Sequence, residues 1–134
     1  MHPVRTVVEG DNLYRRVNRR HTVKNLDGSR RPSSAGFYIG IDDPDNPGER
    51  KRVPDPACSV YLADLVASTD LLDPRARPGK DQVVANVPAK APLDLGLAVP
   101  HTPHCDFIGH AHCEIVGLTP EFCAIIADQA SVIV

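Results

Sequence analysis

Thirteen prolines and nine glycines are spread along these 134 residues, and that punctuation limits the fold more than any other feature of the sequence. Proline fixes φ and carries no N–H, and glycine weakens the interior of helices and strands. The chain is therefore expected to form many short elements joined by turns rather than long helices. With three Phe, three Tyr and no Trp, the core must rest on Val, Ile, Leu and Ala. Hydrophobic residues at 42% and charged residues at 24% fit a globular chain rather than a disordered one.

The local patterns predict the elements. "NLYRRV" alternates, placing Leu13, Arg15 and Val17 on one side of a strand and Tyr14 and Arg16 on the other. Residues 34–41, "SAGFYIGI", read as a second strand. Asp55-Pro56 resembles a capped helix start, and Cys58, Tyr61, Leu62, Leu65 and Val66 fall at helical spacing, so residues 57–68 are predicted helical. Residues 82–100 offer two strand-like runs broken by proline, and "DFIGHAHCEIVGL" reads as the strongest strand. Thr119-Pro120 opens a short helix with Phe122, Ile125 and Ile126 facing inward. Loops, expected to be flexible, are predicted near 18–32, 42–55 and 73–81. The closing "SVIV" is predicted to be a strand, pairing either inside the sheet or across a homodimer. The whole reads as a single α+β domain over 1–134: a small, mainly antiparallel sheet with two short helices on one side.

Charge is uneven along the chain. Residues 1–31 hold eight Arg or Lys against three acids, whereas residues 91–134 hold no Arg or Lys and five acids. Such a split suits an anion-binding N-terminal face, or two ends that pair with each other. There is no apolar run long enough to span a membrane and no apolar stretch like a signal peptide, so a cytoplasmic address with no membrane partner is expected. With no export signal, the four cysteines are expected as free thiols rather than a disulfide frame, and no CxxC pair is present. Nothing in the sequence sets nucleic acid aside as a partner.

"HTPHCDFIGHAHCEIVGL" concentrates the chemistry. In an extended chain Ile108, His110, His112, Glu114 and Val116 share a face, so His110, His112 and Glu114 are the candidate ligands for zinc, with His101, His104 or Cys105 within reach. The spacing matches no structural-zinc pattern, and the Pro-Cys-x-x-Cys needed for a zinc deaminase is missing. Alternatively, His112 and Glu114 form an acid–base pair with Ser33 as nucleophile, although no G-x-S-x-G elbow is present. A third set is Arg15 or Arg16 with the hydroxyls of Ser33 and Ser34, offering donors to a phosphate or carboxylate. The opposing interpretations are a solvent-facing strand, turn serines, and arginines that guard a sheet edge.

Taken in order, "LYRRV", "RPSSAGF", "CSVYLADL" and "AHCEIVGL" resemble a group of small bacterial proteins that share Leu-x-Arg-Arg, Ser-Ser-Ala-x-Phe, Ser-Val-x-x-Ala and Ala-His-x-x-Val/Ile-x-Gly segments. The likeness spans Leu13 to about Ala130 and singles out Arg15, Arg16, Ser33, Ser34, Phe37, Ser59, His112 and Gly117. It implies no activity. A second likeness, to ADP-ribosyltransferase-like toxins, would give Arg15, Ser33 and Glu114 the roles of strand arginine, strand serine and late glutamate, with a longer serine-to-glutamate separation than that pattern has. Together these readings point to a surface of Arg15, Arg16, Ser33, Ser34 and His112 that binds a small anionic ligand or a protein partner. A nucleotide-dependent transferase and a metal-dependent hydrolase stand as alternatives.

Overall fold

A computed structural model describes residues 3–134 of the chain. Its centre is a five-stranded sheet in the order β8-β6-β1-β7-β9, antiparallel at every neighbouring pair. The strands are β1 (Asn12–Asn18), β6 (Ala57–Leu62), β7 (Gln82–Pro88), β8 (His112–Val116) and β9 (Ser131–Val132). Two hairpins stand beside it: β2 (Thr22–Lys24) with β3 (Arg30–Pro32), and β4 (Tyr38–Asp42) with β5 (Arg50–Pro54). Two helices complete the α+β fold, α1 (Lys90–Asp94) and α2 (Pro120–Gln129). No helix among the described residues is long and apolar enough to cross a membrane.

The predicted alternation of β1 is observed. Leu13 and Val17 are buried on the face that carries Arg15, in register with Val87, Val83 and Ala85 of β7. Cys58, Val60 and Leu62 of β6 and Cys113 and Ile115 of β8 continue that face, which is covered by Phe37 and by Cys123 and Ile126 of α2. Thr119 caps α2 as expected, its Oγ1 accepting from the Phe122 N–H at 3.1 Å, with Pro120 in the first turn.

Several expectations are corrected. Residues 57–62 form a central strand, not a helix. The Asp55 carboxylate does cap a turn, accepting from the Ala57 N–H at 3.0 Å, but the chain leaves that turn extended. Because β6 lies between β1 and β8 with both faces largely covered, Cys58, Val60, Tyr61 and Leu62 are all buried, and that near-continuous apolar run imitates helical spacing. The stretches 18–32 and 42–55, expected as loops, supply β2, β3 and β5, and residues 74–76 form a short 3₁₀ turn. Residues 34–37 are also a 3₁₀ turn, so the predicted second strand begins only at Tyr38. The second strand-like run in 82–100 is largely α1, and the strong strand near the end is regular only from His112, after a 3₁₀ turn at Gly109–Ala111. The chain's end pairs inside its own sheet, where Ala85 and Asn86 face Val132 and Ser131.

The other face of the sheet carries Tyr14 and Arg16 of β1, Ser59 and Tyr61 of β6, Val84 of β7, and His112 and Glu114 of β8. No α-helix among the described residues covers it. Instead it is roofed by two irregular segments, one centred on the buried Leu71 and one running through residues 97–111. The second segment begins as an outer rung beside β8, with bridges Ala98–Val116 and His101–Cys113.

Candidate functional site

A cleft of about 390 Å³ opens between the two roofing segments. Arg16, Ser59, Tyr61 and His112 line it from the sheet, Arg75, Ala76 and Arg77 from one wall, and His104, Asp106, Phe107 and Ile108 from the other. That volume lies at the small end of the range for ligand pockets. The walls touch where the Arg75 guanidinium sits 4.0 Å above the Phe107 ring.

His112 faces the cleft with both ring nitrogens engaged. The outer rung places Thr102 opposite it, and Nδ1 lies 3.1 Å from the Thr102 carbonyl and 2.8 Å from its hydroxyl. A carbonyl oxygen can only accept, and on that ground the proton is assigned to Nδ1, which leaves Nε2 bare. Nε2 then accepts from the Ser59 hydroxyl at 3.0 Å. Burial pushes the His112 pKa below its ordinary value. The Thr102 hydrogen bond opposes this, the neighbouring His104 adds to the lowering, Glu114 opposes and His101 again lowers. Burial thus favours the neutral imidazole.

Ser59 is held from the opposite side of the sheet. The β1–β6 register runs through Leu13–Leu62 and Tyr14–Tyr61, and beyond it the Arg15 side chain takes up backbone carbonyls. Its Nη1 donates to Ser59 O at 2.8 Å and its Nε to Gly36 O at 2.8 Å, with the guanidinium also 5.6 Å from the Phe37 ring centroid. Arg16 performs the matching task in the cleft, donating to Ala76 O at 2.8 Å and Leu71 O at 3.2 Å while stacking over Tyr61. Arg77 caps the 74–76 turn in the left-handed region, at φ 52°, a conformation that costs an ordinary L-residue about 1–2 kcal/mol. Among the described residues, no carboxylate pairs with its guanidinium.

The sequence-predicted residues therefore divide. Arg16 and His112 meet in the cleft. Arg15 points to the other face, and the Ser33 hydroxyl donates to His21 O at 3.1 Å. Ser34 begins the 3₁₀ turn that follows. Glu114 shares the His112 face, one rung along and opposite Ser59, but does not line the cleft. Arg15, Ser33 and Glu114 accordingly do not gather into a transferase-like set. His110 does not share the His112 face as an extended strand would require. It belongs to the 3₁₀ turn, and its Nε2 donates to Leu65 O at 3.0 Å. Among the described residues no group of three His, Cys, Asp or Glu is placed to hold a metal ion. His101 is buried, accepting from the Arg5 N–H and donating to His110 O.

The arrangement of His104 depends on Gly109. His104 N–H donates to Gly109 O at 3.0 Å, and a Cβ on Gly109 would fall on the His104 carbonyl and ring. Ser59 is singled out by the resemblance but absent from the predicted site, because a helical assignment of residues 57–68 turned it away from β8. Its signal was the serine inside an otherwise apolar run. The buried cysteines offer no competing nucleophile: burial pushes Cys58 of β6 and Cys123 of α2 up to about 11 and Cys113 of β8 to about 12. All four cysteines are free thiols. Comparison of the chain with protein families, curated proteins and solved structures yields no match, so the geometry of the cleft carries the functional argument.

Proposed function

We propose that the cleft binds a small anionic ligand bearing a phosphate or carboxylate group. The observation that carries this reading is the charge of its lining: three guanidiniums, of Arg16, Arg75 and Arg77, against the single carboxylate of Asp106. Arg75 is partly neutralised by Asp73 at 3.0 Å and Asp106 lies 3.4 Å from His104, so Arg16 and Arg77 dominate the field inside. Arg16 is fixed by carbonyls and by Tyr61, so little side-chain entropy is lost when it meets a ligand. The Ser59 hydroxyl and the cleft-facing polar groups supply orientation beside that charge.

Titration with inorganic phosphate and with succinate, followed by amide-resolved NMR, is the test. Saturable shifts are expected around Arg16, Ser59, Arg77 and His112, weakening as salt is raised. Arg77→Ala should lower the affinity about tenfold, the value of one charge-assisted hydrogen bond. Shifts that never saturate, or that cluster away from the cleft, would overturn the reading.

A further inference from the structure

We propose that Ser59 is a nucleophile and His112 its general base, so that the cleft cleaves carboxylic esters whose acyl part carries a second, anionic group. The activity rests on the geometry of the pair, and the preference for an anionic substrate rests on the binding reading above.

Three observations lead there. The Ser59 hydroxyl already donates to Nε2 of His112, the nitrogen able to take its proton. Thr102 holds Nδ1–H from behind, which fixes both tautomer and ring direction, the task that an orienting acceptor performs in a nucleophile–base pair. Arg15 fixes the Ser59 backbone from the far face of the sheet, and Arg16 lines the cleft beside the pair. A serine placed only for strand packing needs none of these. Both residues also open onto the cleft rather than lying sealed in the core.

The step balances without any further reagent than ester and water. The Ser59 Oγ–H proton passes to His112 Nε2 as Oγ bonds to the ester carbonyl carbon. The ester C–O bond breaks, and the departing alkoxide takes the proton from Nε2. Water then gives a proton to Nε2 as its oxygen bonds to the acyl carbon. The acyl–Oγ bond breaks, Ser59 recovers the proton, and the acid leaves. Thr102 and Arg15 are positioning residues throughout.

Diisopropyl fluorophosphate is the direct probe, since its attack by Ser59 forms an Oγ–P bond and releases fluoride, with the proton taken up by His112. Intact-mass and peptide analysis of the unaltered protein should find one adduct, on Ser59, that is absent when the protein is unfolded in urea. Ser59→Ala should abolish it, His112→Gln should slow it about a hundredfold, and Ser33→Ala should leave it unchanged. The absence of an adduct on native Ser59, or a rate indifferent to His112→Gln, overturns the proposal. Labelling of the unaltered protein decides the matter even if Ser59→Ala folds poorly. The para-nitrophenyl monoester of succinate should be hydrolysed about tenfold faster than para-nitrophenyl acetate, an advantage lost in Arg77→Ala. Succinate binding without Ser59 labelling would sink the nucleophile and keep the anion site. Labelling with no succinate binding and no preference between the esters would do the reverse.

Discussion

Arg15 and Arg16 are neighbours in the chain and do the same job on opposite sides of one sheet, each donating to two backbone carbonyls. The Arg15 side is the more regular: strands and α2 satisfy most of their own backbone groups, aliphatic side chains and three buried thiols fill the space, and Arg15 serves one carbonyl of the 34–37 turn and one of β6. The Arg16 side is roofed by irregular segments. Such segments leave carbonyls such as Leu71 and Ala76 without partners, and Arg16 supplies them. The difference teaches where chemistry can reside. A face closed by regular elements keeps only a smaller polar opening, of about 210 Å³, beside Arg15, Gly36, Arg20 and Arg52, whereas two loop segments that must be pinned by side chains leave the cleft of about 390 Å³ between them.

Thiol chemistry should show this contrast most strongly. Buried Cys58 and Cys123, at about 11, hold a thiolate fraction about a hundredfold below an ordinary thiol, and Cys113, at about 12, still less. Iodoacetamide is expected to alkylate the exposed Cys105 alone in the native protein and all four cysteines in urea, as read by intact mass. Native alkylation of any buried cysteine would break the picture of a closed face.

Arg15→Met should then cost about 2–4 kcal/mol in urea unfolding, because it takes the donor from both the Gly36 and Ser59 carbonyls and so unties the 34–37 turn from β6. Arg16→Met, on the open side, should cost about 1–2 kcal/mol, since water can reach the carbonyls it frees, while weakening phosphate binding. Equal losses of stability would show that the two faces are not different in kind. Gly109→Ala should cost about 1–3 kcal/mol by driving the residue into His104, and should disturb NMR signals of the cleft wall before those of α2.

The smallest expected effect is a pH dependence. His112 has a lowered pKa when folded, so the unfolded chain binds more protons in the range just below the ordinary histidine value of 6.5. Stability therefore falls as pH drops from about 6.5 through the folded pKa and is fully retained above 6.5. His21 is lowered too, by burial and by Arg52 and Arg20, and adds a slope of the same sign. Urea unfolding at pH 5 and pH 7 should show a smaller difference in His112→Gln than in the unaltered protein. An unchanged difference would assign the slope to other groups.

Much of this contrast was legible in the sequence, and one central part was not. Alternation along "NLYRRV" fixes which arginine faces which side, because successive residues of any strand point to opposite faces. Thr119-Pro120 marks the α2 start, since capping depends on a few adjacent residues. "ACSVYLADL" was misleading because a strand buried on both sides loses its alternation of polar and apolar residues, and with the strand the register of Ser59 was lost.

Local sequence thus determined the class of fold, the division of Arg15 from Arg16, and the helix that closes one side. Only the tertiary structure decided the site. Ser59, Thr102 and His112 come from three separate segments, and they meet only because β6, β8 and the rung beside β8 lie side by side in one register. Cross-strand pairing joins residues far apart in the chain, and nothing in the local preference of either partner records the pairing.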